Sequence, residues 1–216
     1  KVDDIVGSNS AYMTDIFIYN NLVVNSKSRA ILIDHGDKIH VWNNTIYGSN
    51  VNPRPEGSEI WSYVVFTATN QIDFRNNIIY GTADRDNQGP AACIFIIKKR
   101  DFIPKLIHFD HNLFYQTDPI QRIIYSEDGP KTEAVTMTPS PYGIGWMEYL
   151  MKNPKENQNS PKPADPIFID INSFNFNLDP NSPARGKGDM IPQIKTDLAG
   201  NAMNIPPDIG AYQIQD

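Results

Sequence analysis

Apolar and polar residues alternate along four short stretches of the chain, and an asparagine closes the alternation in each. The stretches are Ile18-Tyr-Asn-Asn-Leu-Val-Val, Val41-Trp-Asn-Asn-Thr-Ile-Tyr, Phe74-Arg-Asn-Asn-Ile-Ile-Tyr and Phe109-Asp-His-Asn-Leu-Phe-Tyr. Two residues before each stretch stands another isoleucine, at Ile16, Ile39, Ile72 and Ile107. A period of two predicts strands with one apolar face. The copies are separated by loops of unequal length, which is typical of a solenoid.

Each repeat carries two more candidate strands. A short apolar segment follows the asparagine, and a further apolar run lies at residues 30–33, 64–66, 93–97 and 123–125. Three short parallel strands per coil predict an all-β fold, a parallel β-helix. An amide side chain both donates and accepts hydrogen bonds, so asparagines at one corner of stacked coils can form a ladder. The predicted ladder consists of Asn21, Asn44, Asn77 and Asn112.

The sequence predicts a single domain over residues 1–216. Coils occupy residues 1–127, a proline-rich loop with a short helix occupies residues 128–166, and the last coil with an irregular tail occupies residues 167–216. The first coil lacks a convincing cap, although the end strand of a solenoid needs one. We therefore expect an N-terminal segment or a second chain to cover this open end, in a product that is the C-terminal part of a longer protein.

The proline-rich loop contains one amphipathic segment. Ser140-Pro141 can start a helix and Pro154 ends it. Trp146, Met147, Leu150 and Met151 then share a face that packs on the flank of the solenoid. The alternative interpretation makes Trp146 and Tyr149 a lid or a platform for a sugar.

Composition narrows the classes of partner. The 216 residues are 40% hydrophobic and carry a formal net charge of −6. A nucleic-acid partner is not expected, because a phosphate track needs a basic stripe. A membrane span is not expected either, because no run of about 18 apolar residues occurs. The single cysteine, Cys93, lies within an apolar run and reads as a small core residue.

The tail carries a second specific signal. Asp165-Pro-Ile-Phe-Ile-Asp170, the segment from Phe176 to Ala184, and Asp208-Ile-Gly-Ala-Tyr212 follow the coils. These phrases resemble the closing segment of bacterial secreted right-handed parallel β-helix proteins, a group that includes pectate-lyase-like and chondroitinase-B-like polysaccharide lyases. Gln213 stands where that group usually has a glutamate. The resemblance implies a right-handed coil, a secreted, periplasmic or cell-surface location, and an acidic polysaccharide as partner.

The resemblance also indicates which side chains to examine. In such lyases a basic group removes the proton next to a uronate carboxylate, and an arginine, a lysine or a bound calcium ion neutralises that carboxylate. Lys98, Lys99 and Arg100 follow an apolar strand and are the candidate base and neutralising groups. Aligning Ile33, Phe66 and Ile97 places Asp34, Thr67 and Lys98 in one outward column, beside His35, Ala68 and Lys99. Asp34 and His35 would then line the cleft, and the need for calcium is left open.

Two outward rows on successive coils are candidate substrate-binding residues. His40, Asp73 and His108 are equivalent in the repeat, and so are Trp42, Arg75 and Asp110. Neighbouring strands lie about 4.8 Å apart, so these side chains can touch. The favoured interpretation is a cross-strand network with Arg75 paired to Asp110 and Trp42 over Arg75. Stacking of a sugar on Trp42 is the alternative.

The sequence therefore predicts a carbohydrate-active protein, a polysaccharide lyase-like β-helix that acts on or binds a uronate-containing polymer. The alternative is a non-catalytic β-helix module for glycan binding or for structure in a larger protein. A glycoside hydrolase is a second alternative. It is the weaker enzymatic reading, because inverting hydrolysis needs two carboxyl groups roughly 6.5–9.5 Å apart and no aspartate cluster recurs on neighbouring coils.

Overall fold

Strands dominate the structure. The computed structural model describes residues 13–26, 29–48, 61–82, 91–98, 106–128 and 131–215. Within these ranges it contains 16 strands, one α-helix and one 3₁₀ helix. The predicted all-β class is confirmed.

Consecutive strands join three parallel sheets in turn. The first sheet contains β1 (Met13–Tyr19), β4 (Gly36–Trp42), β7 (Asn70–Arg75) and β10 (Leu106–Asp110). The second contains β2 (Leu22–Val24), β5 (Thr45–Tyr47), β8 (Ile78–Gly81) and β11 (Leu113–Gln116). The third contains β3 (Ile31–Asp34), β6 (Trp61–Thr67), β9 (Ala91–Lys98) and β12 (Arg122–Asp128). These twelve strands pair in parallel, and β13 (Lys131–Thr136), antiparallel to β12, and β14 (Ile144–Gly145) extend the third sheet.

The apolar faces of the three sheets form one core. Ile16, Ile39 and Ile72 are register partners on adjacent strands, and Ile39 and Ile72 are fully buried. Aromatic rings fill the interior between sheets: the ring centroids of Phe74 and Phe109 lie 5.7 Å apart. The period of two in the sequence thus corresponds to burial of alternate residues along the first sheet.

Four asparagines form a continuous chain of hydrogen bonds at the corner between the first and second sheets. The Oδ1 of Asn77 accepts from the backbone N–H of Asn44 (3.1 Å) and from its Nδ2 (3.0 Å). Asn44 receives the same two bonds from Asn21, and Asn112 receives them from Asn77. At the end of this asparagine ladder, the backbone N–H of Asn112 donates to Ser160 Oγ (2.9 Å), so a hydroxyl from the following loop takes the place of a fifth amide.

The α-helix, α1 (Trp146–Lys152), lies next to β13 and β14 and closes one end of the core. The predicted helical face is wrong in part, because Met147 and Met151 are 55% and 75% exposed. The helix begins at Trp146, after a β-bridge between Ser140 and Gly143, rather than at Pro141. Its inward positions are Trp146 and Tyr149, which are both buried, so neither ring presents a face to a sugar.

The tail does not add a further set of three parallel strands. Residues 168–178 form β15 (Phe168–Asp170), a 3₁₀ helix (Ile171–Ser173) and β16 (Asn175–Leu178), and the two strands pair antiparallel. The rest of the tail is largely irregular and packs back against the first and second sheets. Gly210 donates its N–H to the carbonyl of Asn76 (2.8 Å), and Ala211 donates to Thr45 Oγ1 (3.0 Å). The tail therefore covers part of the first sheet, which decides which of its outward residues are accessible.

Candidate binding site on the first sheet

Two rows of outward side chains cross the first sheet, and each row takes one residue from each of four strands. The inner row is Phe17, His40, Asp73 and His108, and the outer row is Tyr19, Trp42, Arg75 and Asp110. Residues two apart on a strand share a face, so the two rows lie side by side. The repeat had predicted these registers, and the pairing of β1, β4, β7 and β10 follows them in both rows. One predicted partner of the apolar face is wrong, because an irregularity in β10 pairs Ile72 with Leu106 instead of Ile107.

Asp73 is the electrostatic centre of the inner row. Its side chain is 7% exposed, with His40 Nδ1 at 3.4 Å on one side and His108 Nδ1 at 3.7 Å on the other. Arg75 binds both carboxylate oxygens, with Nε and Nη2 each 2.7 Å from an oxygen. Burial by itself would raise the pKa of Asp73, but the hydrogen bonds and charge of Arg75, helped by Trp42 and His108, hold this pKa below its ordinary value.

The tail covers the middle of the outer row. Trp42 is only 2% exposed and packs with Ile191 and Ile194, so it offers no ring face for a sugar to stack on. The guanidinium of Arg75 lies 5.7 Å from the centre of the Trp42 ring and donates to Asp189 Oδ2 at 2.6 Å. Trp42 and Arg75 are thus part of the packing between the sheet and the tail.

The predicted pair between Arg75 and Asp110 is wrong. The two residues are register partners, but Asp110 accepts hydrogen bonds from the backbone N–H (2.9 Å) and Nδ2 (2.7 Å) of Asn159. Arg75 is occupied by Asp73 and Asp189 instead. Asp110 thus binds Asn159 of the loop after α1, and Asp189 of the tail binds Arg75. The repeat alone shows neither contact.

The beginning of both rows stays open. Phe17 is 50% exposed and Tyr19 is 47% exposed, and the side chain of His108 is 57% exposed at the far end of the inner row. The Phe17 ring stacks on His40, with centroids 4.7 Å apart and planes 11° apart. The open surface therefore combines aromatic faces with imidazole nitrogens along a line that crosses the strands. Neither Phe17 nor Tyr19 was a predicted site residue, although both are aromatic residues at the outward positions of the first repeat.

At the exit of the third sheet the predicted column is wrong by one residue. Asp34 pairs with Thr67, but Thr67 pairs with Ile97. Lys98 lies one position beyond this column and pairs with Asp128 on β12. A shift of one residue turns a side chain to the other face of a sheet, so backbone register does not group Lys98 with Asp34. Lys99 and Arg100 lie outside the described residues.

Asp34 and His35 do meet at the end of β3. The distance from His35 Nδ1 to Asp34 Oδ1 is 3.0 Å, and the two side chains are 36% and 51% exposed, respectively. His35 has a positive φ of 56° and its N–H donates to the carbonyl of Thr67 (3.0 Å), which fixes the turn that carries the pair.

Three tyrosines stack on the outer side of the second sheet. Tyr80 lies 4.7 Å from Tyr47 and 4.8 Å from Tyr115, measured between ring centroids. Phe168 and Phe176 of the tail pack on this stack, with Phe176 5.1 Å from Tyr47. Burial and the nearby carboxylate of Asp165 raise the pKa of all three phenols. The phenols remain protonated at neutral pH, so this stack serves packing rather than acid–base chemistry.

We tested the described residues for a calcium or other metal site, because the resemblance leaves a metal open. Across the described ranges no three His, Cys, Asp or Glu side chains converge as metal ligands. Asp73, which has the most polar neighbours of the candidates, is surrounded by cationic and imidazole groups rather than by the oxygen ligands that calcium prefers. No step of a reaction is therefore assigned to a metal.

Comparison with known proteins gives no relative: no family model, curated protein or solved structure matches the chain. Of the helices in the described part, none has the length and apolar character needed to cross a membrane.

Proposed function

We propose that the chain is a right-handed parallel β-helix that binds an acidic polysaccharide across the strands of its first sheet. The fold part of the proposal is supported by the order of the strands. Twelve consecutive strands enter the first, second and third sheets in strict rotation, and the asparagine ladder links successive repeats at one corner. Such rotation is the connectivity of a solenoid with three strands per coil.

The observation that carries the binding part is the exposure of both ends of the inner row. Phe17 and His108 are half exposed at its two ends, and His40 and Asp73 lie between them. Aromatic faces accept the apolar faces of sugar rings, and imidazoles donate hydrogen bonds to hydroxyl and carboxylate groups. An extended polymer fits a row better than a small ligand does, because the row runs along the sheet rather than into a cleft. A secreted, periplasmic or cell-surface location is proposed with it, because such polymers occur there.

The polar groups in the middle of the row are held within the protein. Asp73 is bound by Arg75, and Arg75 is further bound by Asp189. The exposed imidazole of His108 is left to donate a hydrogen bond to a hydroxyl or carboxylate group of a polymer. We therefore expect binding of polygalacturonate, alginate or a glycosaminoglycan.

The test is binding of the full chain to these three polymers and to a neutral polymer of similar length, measured by calorimetry. Phe17→Ala and His108→Ala should each weaken binding by about 5- to 50-fold, from the loss of one stacking or charged hydrogen-bond contact. Phe174→Asn is the matched control, because it removes a 67% exposed ring at a left-handed position (φ 56°) that asparagine tolerates. Equal affinity of wild type, Phe17→Ala and His108→Ala, or equal affinity for the neutral polymer, would contradict the proposal.

Cleavage by β-elimination is the second candidate, favoured by the half-exposed Asp34–His35 pair at the end of the third sheet. In this reaction a base removes the proton next to the uronate carboxylate, the bond to the leaving oxygen breaks, and that oxygen takes up a proton. Asp34 and His35 would line the reaction site, and Lys98, Lys99 or Arg100 would supply the base and the charge neutraliser. Lys98 is the least suited of the three, because the register does not group it with Asp34.

Product analysis separates the candidates. Elimination creates an unsaturated uronate that absorbs in the ultraviolet, whereas hydrolysis creates reducing ends without that absorbance. A rise in absorbance that is lost in His35→Ala and kept in Phe174→Asn supports the lyase. Binding without either product supports a non-catalytic module.

A further inference from the structure

Arg122, the first residue of β12, has no carboxylate partner among the residues that the structure describes. Its Nε donates to the carbonyl of Tyr142 (3.2 Å), and its Nη1 is buried with no hydrogen-bond partner. The residue as a whole is partly exposed. An unpaired polar atom of this kind is unusual, because burying a polar group without a hydrogen bond is costly.

Two tyrosines accompany this guanidinium. Its Cζ lies 4.8 Å from the centre of the Tyr125 ring, a cation–π distance. Tyr142, which accepts from Nε, is 50% exposed. The site thus offers a planar cation and aromatic surface at the edge where β12 begins.

Comparison with Arg75 shows what is missing at Arg122. Arg75 is neutralised by Asp73 and Asp189, and these contacts raise its pKa. Burial lowers the pKa of Arg122, and Tyr125 and Tyr142 oppose that effect only in part. Among the side chains that the structure describes, no carboxylate lies within ion-pair distance of Arg122. Within the described residues, the positive charge of Arg122 therefore has no carboxylate partner, and because the residue is partly exposed, a ligand can approach it.

We propose that Arg122 binds the carboxylate of a sugar acid, with the rings of Tyr125 and Tyr142 packing against the sugar. Because Nε already donates to Tyr142 and Nη1 is buried, the carboxylate is bound through Nη2. A charge-assisted hydrogen bond between a guanidinium and a carboxylate is strong, and tyrosine rings accept the apolar face of a pyranose. The site lies on the third sheet, so it is separate from the inner row of the first sheet and does not depend on it.

Nuclear magnetic resonance titration of the full ¹⁵N-labelled chain with galacturonate tests the assignment. Galacturonate should shift the amide signals of residues 122–126 and 142–144, while galactose, which lacks the carboxylate, should not. Shifts confined to β1, β4 and β7 would place the sugar acid on the first sheet and overturn the assignment of Arg122. A response to inorganic sulfate as strong as that to galacturonate would show a general anion site and overturn the sugar-acid assignment.

Variants at the site give a second readout. Arg122→Gln should weaken galacturonate binding by about 10- to 100-fold, the range expected for the loss of one charge-assisted hydrogen bond. Tyr142→Ala retains the backbone carbonyl that holds Nε and removes only a half-exposed ring, so it keeps the fold and should weaken binding by about 3- to 10-fold. Arg185→Gln makes the same charge change at an exposed position and should leave binding unchanged. Equal affinity of Tyr142→Ala and wild type would refute the proposed sugar contact, even if Arg122→Gln did not fold.

Discussion

Replacement of Asn77 by alanine should destabilise the protein more than loss of any exposed asparagine. Asn77 is fully buried in the middle of the asparagine ladder. Its Oδ1 accepts two hydrogen bonds from Asn44, and the two hydrogens of its Nδ2 are shared among the carbonyls of Val41 and Arg75 and Asn112 Oδ1. The side chain thus makes the equivalent of about four bonds, and at a net value of about 1 kcal/mol for each, Asn77→Ala should cost about 4 kcal/mol of unfolding free energy.

That cost is comparable with the whole stability of an ordinary domain, about 5–15 kcal/mol. Urea unfolding followed by circular dichroism measures it, with two graded controls. Asn21→Ala removes two side-chain bonds, to Tyr19 and Asn44, at the exposed end of the ladder and should cost about 1–2 kcal/mol. Asn177→Ala removes one bond at an exposed site and should cost under about 0.5 kcal/mol. A loss below about 1 kcal/mol for Asn77→Ala, at an unchanged dependence on urea, would refute the hydrogen-bond reasoning.

Three further predictions concern the tail, the inner row and the outer row. Gly210→Ala should lower the melting temperature clearly more than Gly200→Ala, because both have positive φ but only at Gly210 would a Cβ meet atoms, 2.7 Å from Ile78 Cδ1. Asp73 has a lowered pKa in the folded state, so it stabilises the fold above its unfolded pKa of about 3.9, and this contribution is lost as pH falls through the folded pKa. As pH falls below about 5, wild type should therefore lose more unfolding free energy than an Asp73→Asn variant, whose stability is lower at neutral pH but depends less on pH. Arg75→Met leaves a buried carboxylate without its main partner and should cost about 3–5 kcal/mol in urea unfolding.

The sequence predicted the parts of the structure that recur. A residue that returns at the same place in each repeat meets its own copy on the next strand, so the registers of β1, β4, β7 and β10 could be read from the phrases around Asn21, Asn44, Asn77 and Asn112. Periodicity of this kind predicts both the strand and the strand that pairs with it.

The misplacement of Lys98 has a physical cause. Residues 93–97 are apolar at every position, so they lack the alternation that distinguishes one face of a strand from the other. Aligning Ile97 instead of Ile96 with Phe66 fits the composition equally well, but the structure pairs Ile96 with Phe66. The register of a strand is weakly specified wherever both of its faces carry the same kind of side chain.

Burial of Trp42 could not be predicted from the repeat. Its position is outward in the first sheet, and the residues that cover it, Ile191 and Ile194, belong to the irregular tail far along the chain. A segment without periodicity does not reveal which surface it covers. The same limit applied to Arg75, whose second carboxylate partner, Asp189, also comes from the tail.

The tail phrase that carried the resemblance is accounted for by packing. Asp208 is 1% exposed, and its carboxylate accepts from the backbone N–H groups of Gly186 (2.6 Å) and Ile214 (2.7 Å). Ile209 is fully buried, and Gly210, at φ 104°, lies too close to the second sheet for a side chain. Gln213 uses its amide oxygen to accept from the N–H of Asp208 (2.9 Å), a bond that a glutamate oxygen could equally make. Since these four residues hold the tail in place, this part of the phrase indicates how the chain folds and not what it binds, and a function has to be tested at the inner row and at Arg122.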